Sequence, residues 1–341
     1  MKKILISSFI LLLTACGGND DEHHEHTHHE HSHEHEHSHS HDHGHGHGHD
    51  HTMFEWNIEG IYDPINIYSA RHFLADEQIF RAFTEATGIG VNVIHANAGQ
   101  IVARLDAEGA GTEADLIISD DGAMLSNAQS RGLLAPISST GHYFQALSYR
   151  ARIIAAIEEF DITSYTDLMD DSFRGEILLR PGNHMYNISL LAFIIQMYGF
   201  DTALEWAEAM VENAARTPSG NDRDQIIALE AGIGSVALVN TYYLGLLQDE
   251  GLASNVSLIW PHITHINVSG MAIPTHSSNP EGAEAFIQFA LSEYAQNILV
   301  TQNNEFSVLG RSPNFFNEAI NFDDLYRNHI DAINIMNIVG W

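Results

Sequence analysis

From Ile65 onward the apolar positions switch between the period of a strand and that of a helix. Ile65-Asn66-Ile67-Tyr68 alternates as a strand, and Asp76 to Thr87 carries Ile79, Phe80 and Phe83 at helical spacing, with Asp76 as the cap and Gly88 as the stop. Val91 to Ile94 reads as a second strand, Ile101 to Ala107 as a helix, Ala114 to Ile118 as a third strand and Ala123 to Arg131 as a helix. The alternation resumes with a strand at Gly175 to Leu179, helices at Ile188 to Tyr198 and Ala203 to Ala214, and a strand at Ser235 to Val239. Strand alternating with helix predicts an α/β protein with mixed, mostly parallel sheets covered on both faces.

Roughly 285 residues of this kind exceed one typical core and suit two lobes. Ser148 to Ile154 and Val268 to Ile273 read as buried extended segments able to cross between them. The expected division is residues 54–148 with 274–311 in one lobe and 149–273 with 312–341 in the other, the last including a helix over Phe322 to Ile338. Ligands of paired open sheets sit at the carboxyl ends of strands, here the cleft between lobes.

Before Phe54 the pattern is different. Met1-Lys2-Lys3, an apolar run from Ile4 to Leu13, and Leu13-Thr14-Ala15-Cys16 read as a signal peptide, residues 1–15, ending in a lipobox. Cleavage before Cys16 leaves a cysteine able to carry a diacylglycerol. The chain is then expected outside the cytoplasm, lipid-anchored to the cell membrane or an outer membrane and facing the periplasm or cell exterior. The apolar run is too short to remain as a span, which needs roughly 18 or more residues. Sixteen of the 24 histidines fall between His23 and His51, alternating with Glu, Asp, Ser and Gly. With no large apolar side chain, this stretch, within a tether over residues 16–53, buries too little surface to offset its ordering entropy. Its imidazoles also suit Zn(II) or another divalent metal, held weakly per site and lost as they protonate below about pH 6.5.

Composition narrows the chemistry further. Asp and Glu total 45 against 14 Lys and Arg, and both lysines, Lys2 and Lys3, lie in the signal segment. Such acidity disfavours nucleic acid and anionic lipid headgroups. Cys16 is the only cysteine, so a metal site must use oxygen and nitrogen donors rather than thiolates.

Asn240-Thr241-Tyr242-Tyr243 follows the apolar strand Ser235 to Val239, so the tyrosines should open a helix capped by Asn240 or Thr241. A helix N-terminus favours anions, here phenolates or an anion beside a metal. Phenol titrates near about 10, so ionising several at neutral pH requires a strong cation. Fe(III) suits hard anionic oxygen, and three phenolates match its charge. The plainer alternative is that Tyr186, Tyr242 and Tyr243 are amphipathic core residues and His72 a hydrogen-bonded loop histidine.

Taken together, the segments resemble the tyrosine-rich ferric-iron-binding proteins that serve ABC importers. The resemblance runs from about Asn66 to Trp341. It includes Ile67-Tyr68-Ser69-Ala70-Arg71-His72, Leu147 to Arg152, Tyr165 to Leu168, Tyr186-Asn187-Ile188-Ser189-Leu190, Pro218 to Asp222, Asn240 to Tyr243 and Asn303 to Phe306. It implies a two-lobed, type II solute-binding fold, a monomer that hands metal to a permease, and metal ligands at His72, Tyr186, Tyr242 and Tyr243. The family's loop reads Arg-His-Tyr, and Phe73 stands where its tyrosine would be. One phenolate is therefore missing, and a small anion such as carbonate, with Arg71 and Arg150 as candidates to hold it, would help complete the coordination. The loss also makes zinc or another divalent metal a closer competitor. A secreted metallohydrolase is the reading from another class. The chain has no His-Glu-x-x-His, no Gly-x-Ser-x-Gly and mostly phenolic matched positions, so it is expected not to be an enzyme.

Overall fold

Short strands rich in Ile and Val alternate with helices that present one apolar face. The computed structural model describes residue 60, residues 63–309 and residues 322–341. The signal segment, Cys16, the His-rich tract and the lobe boundary at 311/312 lie outside the described residues. In chain order the elements are β1 (Ile65–Ser69), α1 (Leu74–Thr87), β2 (Val91–His95), α2 (Ala98–Glu108), β3 (Leu116–Ser119), α3 (Gly122–Ser130), β4 (Leu134–Ala135) and β5 (Gln145–Ala156). There follow β6 (Ile177–Leu178), α4 (Met185–Tyr198), α5 (Phe200–Glu212), α6 (Asp222–Glu230), β7 (Val236–Asn240), α7 (Thr241–Asp249), β8 (Ser257–Ile259) and β9 (His265–Pro274). The last are α8 (Pro280–Ala290), α9 (Glu293–Asn303), β10 (Phe306–Ser307) and α10 (Phe322–Val339).

The strands form one mixed sheet in the order β2-β1-β3-β9-β5-β7-β6, with β8 and β10 also pairing to β5 and β4 to β9. Parallel pairing is found where a helix returns the chain, as in β1-α1-β2, and also between β1 and β3 and between β6 and β7. In the middle, the long strands β5 and β9 meet from opposite directions and are antiparallel to each other, to β3 and to β7. The two segments expected to cross between regions are thus these central strands, each longer than its predicted span.

Both faces of the sheet are covered, which explains strands with near-continuous apolar runs. On one side of β1 and β3, Ile65, Ile67 and Ile118 pack with Phe83 of α1 and Phe286 of α8; on the other, Tyr68 and Ile117 pack with Ile101 and Leu105 of α2. At the other end, Ile154, Val236 and Leu238 face Leu190 and Phe193 of α4 and Trp206 of α5, while Ile153 and Val239 face Ile226 of α6 and Leu247 of α7. Each such fully buried side chain contributes about 1.5–3 kcal/mol relative to exposure.

Several helix starts differ from the sequence expectation. Asp76 is not the cap of α1: the helix begins at Leu74, and the Asp76 carboxylate in its first turn accepts the Phe73 N–H at 3.3 Å. The helix expected from Ile188 begins at Met185, because His184 serves as its cap and its Nδ1 accepts the Tyr186 N–H at 3.2 Å. Asn240 precedes α7 as expected but its side chain makes no capping bond, and the Thr241 hydroxyl instead accepts the Ala151 N–H at 3.3 Å. Three helices not predicted above, α6, α8 and α9, complete the cover. The C-terminal helix α10 buries Leu325, Ala332, Ile335 and Met336 against α4 and α5 and also touches α3.

Candidate metal centre

The carboxyl ends of β1, β3 and β7 and the first turn of α4 meet around two arginines. Arg71, just past β1, is fully buried and every guanidinium nitrogen is taken within the protein. Its Nε and Nη2 reach Asp76, its Nη1 reaches Ser148, Ser269 and Glu305, and Nη2 also donates to Glu305 at 2.9 Å. Burial alone would raise the Glu305 carboxyl, but Arg71 and Arg150 outweigh it and hold that group below its ordinary value. This balanced quartet ties the start of α1 to the two central strands.

Arg150 on β5 points its fork the other way. Its Nη1 donates to the Tyr186 hydroxyl at 2.9 Å, and its Nη2 donates to the Asp120 carbonyl at 2.7 Å and the Ser269 hydroxyl at 2.8 Å. A planar fork fixes direction as well as distance, so Tyr186 is oriented rather than merely buried. Tyr242 and Tyr243, the second and third residues of α7, lie with ring centroids 4.1 Å apart. Burial, Tyr186 and Tyr243 push the Tyr242 phenol well above its ordinary value. Burial also raises Tyr186, with Arg150 opposing and the Asp120 carboxylate adding to the rise. The helix N-terminus at Tyr242 and Tyr243 favours negative oxygen. With no cation present Tyr186 and Tyr242 are phenols.

The expected residues are therefore brought together unevenly. Tyr186, Tyr242, Tyr243 and Arg150 form one cluster. His72 is exposed and stacks on Phe73 at 5.9 Å, while the Phe73 ring meets Tyr242 edge-on at 5.9 Å and lies under Arg71. A ring that cannot donate oxygen thus stands between His72 and the phenols. Beneath Tyr186, Asp222 accepts from Arg152 and Arg180, and Asn187 accepts from Arg152 at 2.8 Å, all buried. The Arg180 guanidinium also lies over the Tyr186 ring at 5.4 Å.

Sequence reasoning missed Glu305 and Asp120 as members of this neighbourhood. Glu305 gave no local signal, since its partners are distant in the chain. Asp120 had one: it directly follows the apolar strand β3, at the carboxyl edge where ligands bind. Among the described residues no group of three or more His, Cys, Asp or Glu is placed to hold a metal, so a cation here depends on phenolic oxygen. Tyrosinate is an established iron ligand, and three such oxygens beside a helix N-terminus fit a trivalent ion.

Comparison with known proteins identifies the family. Residues 65–302 match the family of bacterial extracellular solute-binding proteins. Iron uptake protein A1 of Synechocystis is 34% identical, the match covering 83% of this chain and 88% of that protein. A ferric binding protein from Campylobacter jejuni superposes with a TM-score of 0.74 at 35% identity, over 81% of this chain and 99% of that one. The Trichodesmium protein solved with iron and citrate gives 0.73 at 33% identity, over 82% and 99%. The likeness extends to the type II fold of such proteins.

Proposed function

The chain belongs to the bacterial extracellular solute-binding proteins, and on that premise we propose that it binds ferric iron and delivers it to an ABC importer. The observation that carries this reading is the cluster of Tyr186, Tyr242 and Tyr243 at the end of the central sheet, oriented by Arg150. The names of its relatives, iron uptake and ferric-binding proteins, support the same cargo. On this reading the three tyrosines are ligands, His72 is a further donor at the rim, and an anion such as carbonate completes the coordination. Of the two arginines proposed to hold that anion, Arg71 already serves Asp76 and Glu305, and Arg150 already donates to Tyr186, the Asp120 carbonyl and Ser269.

The protein is read as a carrier that catalyses nothing, a monomer whose partners are the metal, a permease and, through Cys16, a membrane. No helix among the described residues is long and apolar enough to cross one. In support of the two-lobe division proposed from the sequence, Leu147 toward one end of β5 packs in a different apolar cluster from Ile154 and Ala156 at the other. Release follows from proton competition: each phenolate formed on binding expels a proton, so acid favours the empty carrier.

Titrating the iron-free protein with ferric citrate tests the reading. Binding should bring up a visible phenolate-to-iron charge-transfer band that is lost or strongly weakened in Tyr242→Phe. A colourless protein that instead binds zinc tightly in the cleft would overturn it.

A further inference from the structure

Resting on the ferric reading, we propose that Trp341 is a positioning residue for the metal centre, its indole N–H holding in place the segment on which Tyr186 depends.

The end of α10 sets the direction of this side chain. Gly340 lies in the left-handed region at φ 73°, and the N–H groups of Gly340 and Trp341 both return to the Met336 carbonyl at 3.1 Å. Such a cap reverses the chain and folds the residue after the glycine back along the last turn. The Trp341 ring then lies 5.7 Å from that of Trp206, which is fully buried, and its Nε1 donates to the Arg180 carbonyl at 2.9 Å. Two residues further on, a Cβ added to Gly182 would come within 2.9 Å of the Trp341 ring, so the indole rests directly on the backbone that leads into α4.

Arg180 carries the contact to the site. Its carbonyl also accepts the Asn187 side-chain amide at 3.1 Å, and the same amide donates to the Pro181 carbonyl at 3.2 Å. The turn before α4 is therefore gripped by Asn187 within the helix and by Trp341 from α10. The Arg180 guanidinium donates to Asp222 at 3.1 Å and lies 5.4 Å from the centre of the Tyr186 ring. Arg150 orients the Tyr186 hydroxyl while Arg180 flanks its ring, so a shift of residue 180 would tilt the phenol against the Arg150 fork. Partners of this kind, one step removed from the ion, govern how tightly a ligand holds metal.

The test uses the full chain loaded from ferric citrate. Trp341→Phe keeps an aromatic ring beside Trp206 and deletes the N–H. Its charge-transfer band should shift, and iron should be lost to added citrate about threefold to tenfold faster than from the wild type. The same substitution in a Tyr186→Phe background, where Tyr242 and Tyr243 remain, should change neither band nor retention further, because both changes act on one ligand. A role in folding alone would cost equal retention in both backgrounds and leave the band in place. Wild-type protein gives a readout independent of variant folding: amide exchange over residues 336–341 should slow on iron loading together with that over 180–187, since coupling between two sites is reciprocal. An unshifted band with wild-type retention in Trp341→Phe, an equal loss in both backgrounds, or exchange over 336–341 that ignores iron would overturn the assignment while leaving the ferric reading intact. Absence of any band in the wild type would remove both.

Discussion

At the scale of single residues, the site stores its specificity in protons. The Tyr186 and Tyr242 phenols are held above their ordinary value by burial, so the apo protein keeps them neutral at physiological pH. On the proposed reading a metal displaces those protons, and apparent ferric affinity should fall roughly tenfold per unit decrease in pH for every proton released. Competition against citrate at a series of pH values checks this; a pH-independent constant would rule out phenolate ligation. Glu305 is a second point of leverage. Its carboxyl is depressed in the folded protein, so the stabilisation it gives is present above the unfolded value and lost as pH falls through the folded one. Glu305→Gln leaves Arg71 and Arg150 short of a counter-charge in a buried site and should destabilise by about 3–5 kcal/mol, measured by urea unfolding.

At the scale of elements, what matters is where helices begin. Tyr186 is useful because α4 starts at Met185 rather than at Ile188, and that start depends on a His184 cap whose imidazole is kept neutral, pushed down to about 4 by burial and then Arg180. The same end of α4 is approached by Gly182, where an added Cβ would lie 2.9 Å from the Trp341 carbonyl and 2.8 Å from the Met336 sulfur. Gly182→Ala should therefore cost about 1–3 kcal/mol and weaken iron binding by shifting Tyr186. His265 on β9 is neutral too, pushed down to about 3 by burial and then Arg152, and bonded to Ser189 of α4 at 3.0 Å. Unfolded histidine takes up a proton near pH 6.5 whereas folded His265 does not until about 3. Stability should thus be complete above about pH 6.5 and decline from there toward about 3, and His265→Gln should flatten that limb in urea midpoints.

These particulars also explain what the sequence could and could not disclose. The twin tyrosines were readable because an apolar strand running into Asn240-Thr241 locates a helix start within one residue. Asp76 was misplaced as a cap because its true role, an ion pair with Arg71, is a tertiary contact that outweighs local preference. The antiparallel centre was hidden for a similar reason: the periodicity of β5 and β9 shows that they are buried strands, but direction depends on which strands they meet. Glu305 joins Arg71 across 234 positions, a separation no local pattern signals.

At the scale of the whole molecule, β5 and β9 are the central strands of the sheet, and the proposed metal site lies beside them. Ligand binding to the folded state alone stabilises it, by about 2.7 kcal/mol at a hundredfold excess over the dissociation constant. Iron loading should accordingly raise the melting temperature of the wild type and have little effect on Tyr242→Phe. The central claim, a ferric ion held by phenolate oxygens, is tested most directly by diffraction from iron-loaded crystals at the iron absorption edge. The expected result is one anomalous peak bonded to the hydroxyl oxygens of Tyr186, Tyr242 and Tyr243, vanishing below the edge. A peak away from these tyrosines, or one that appears only at the zinc edge, would contradict it.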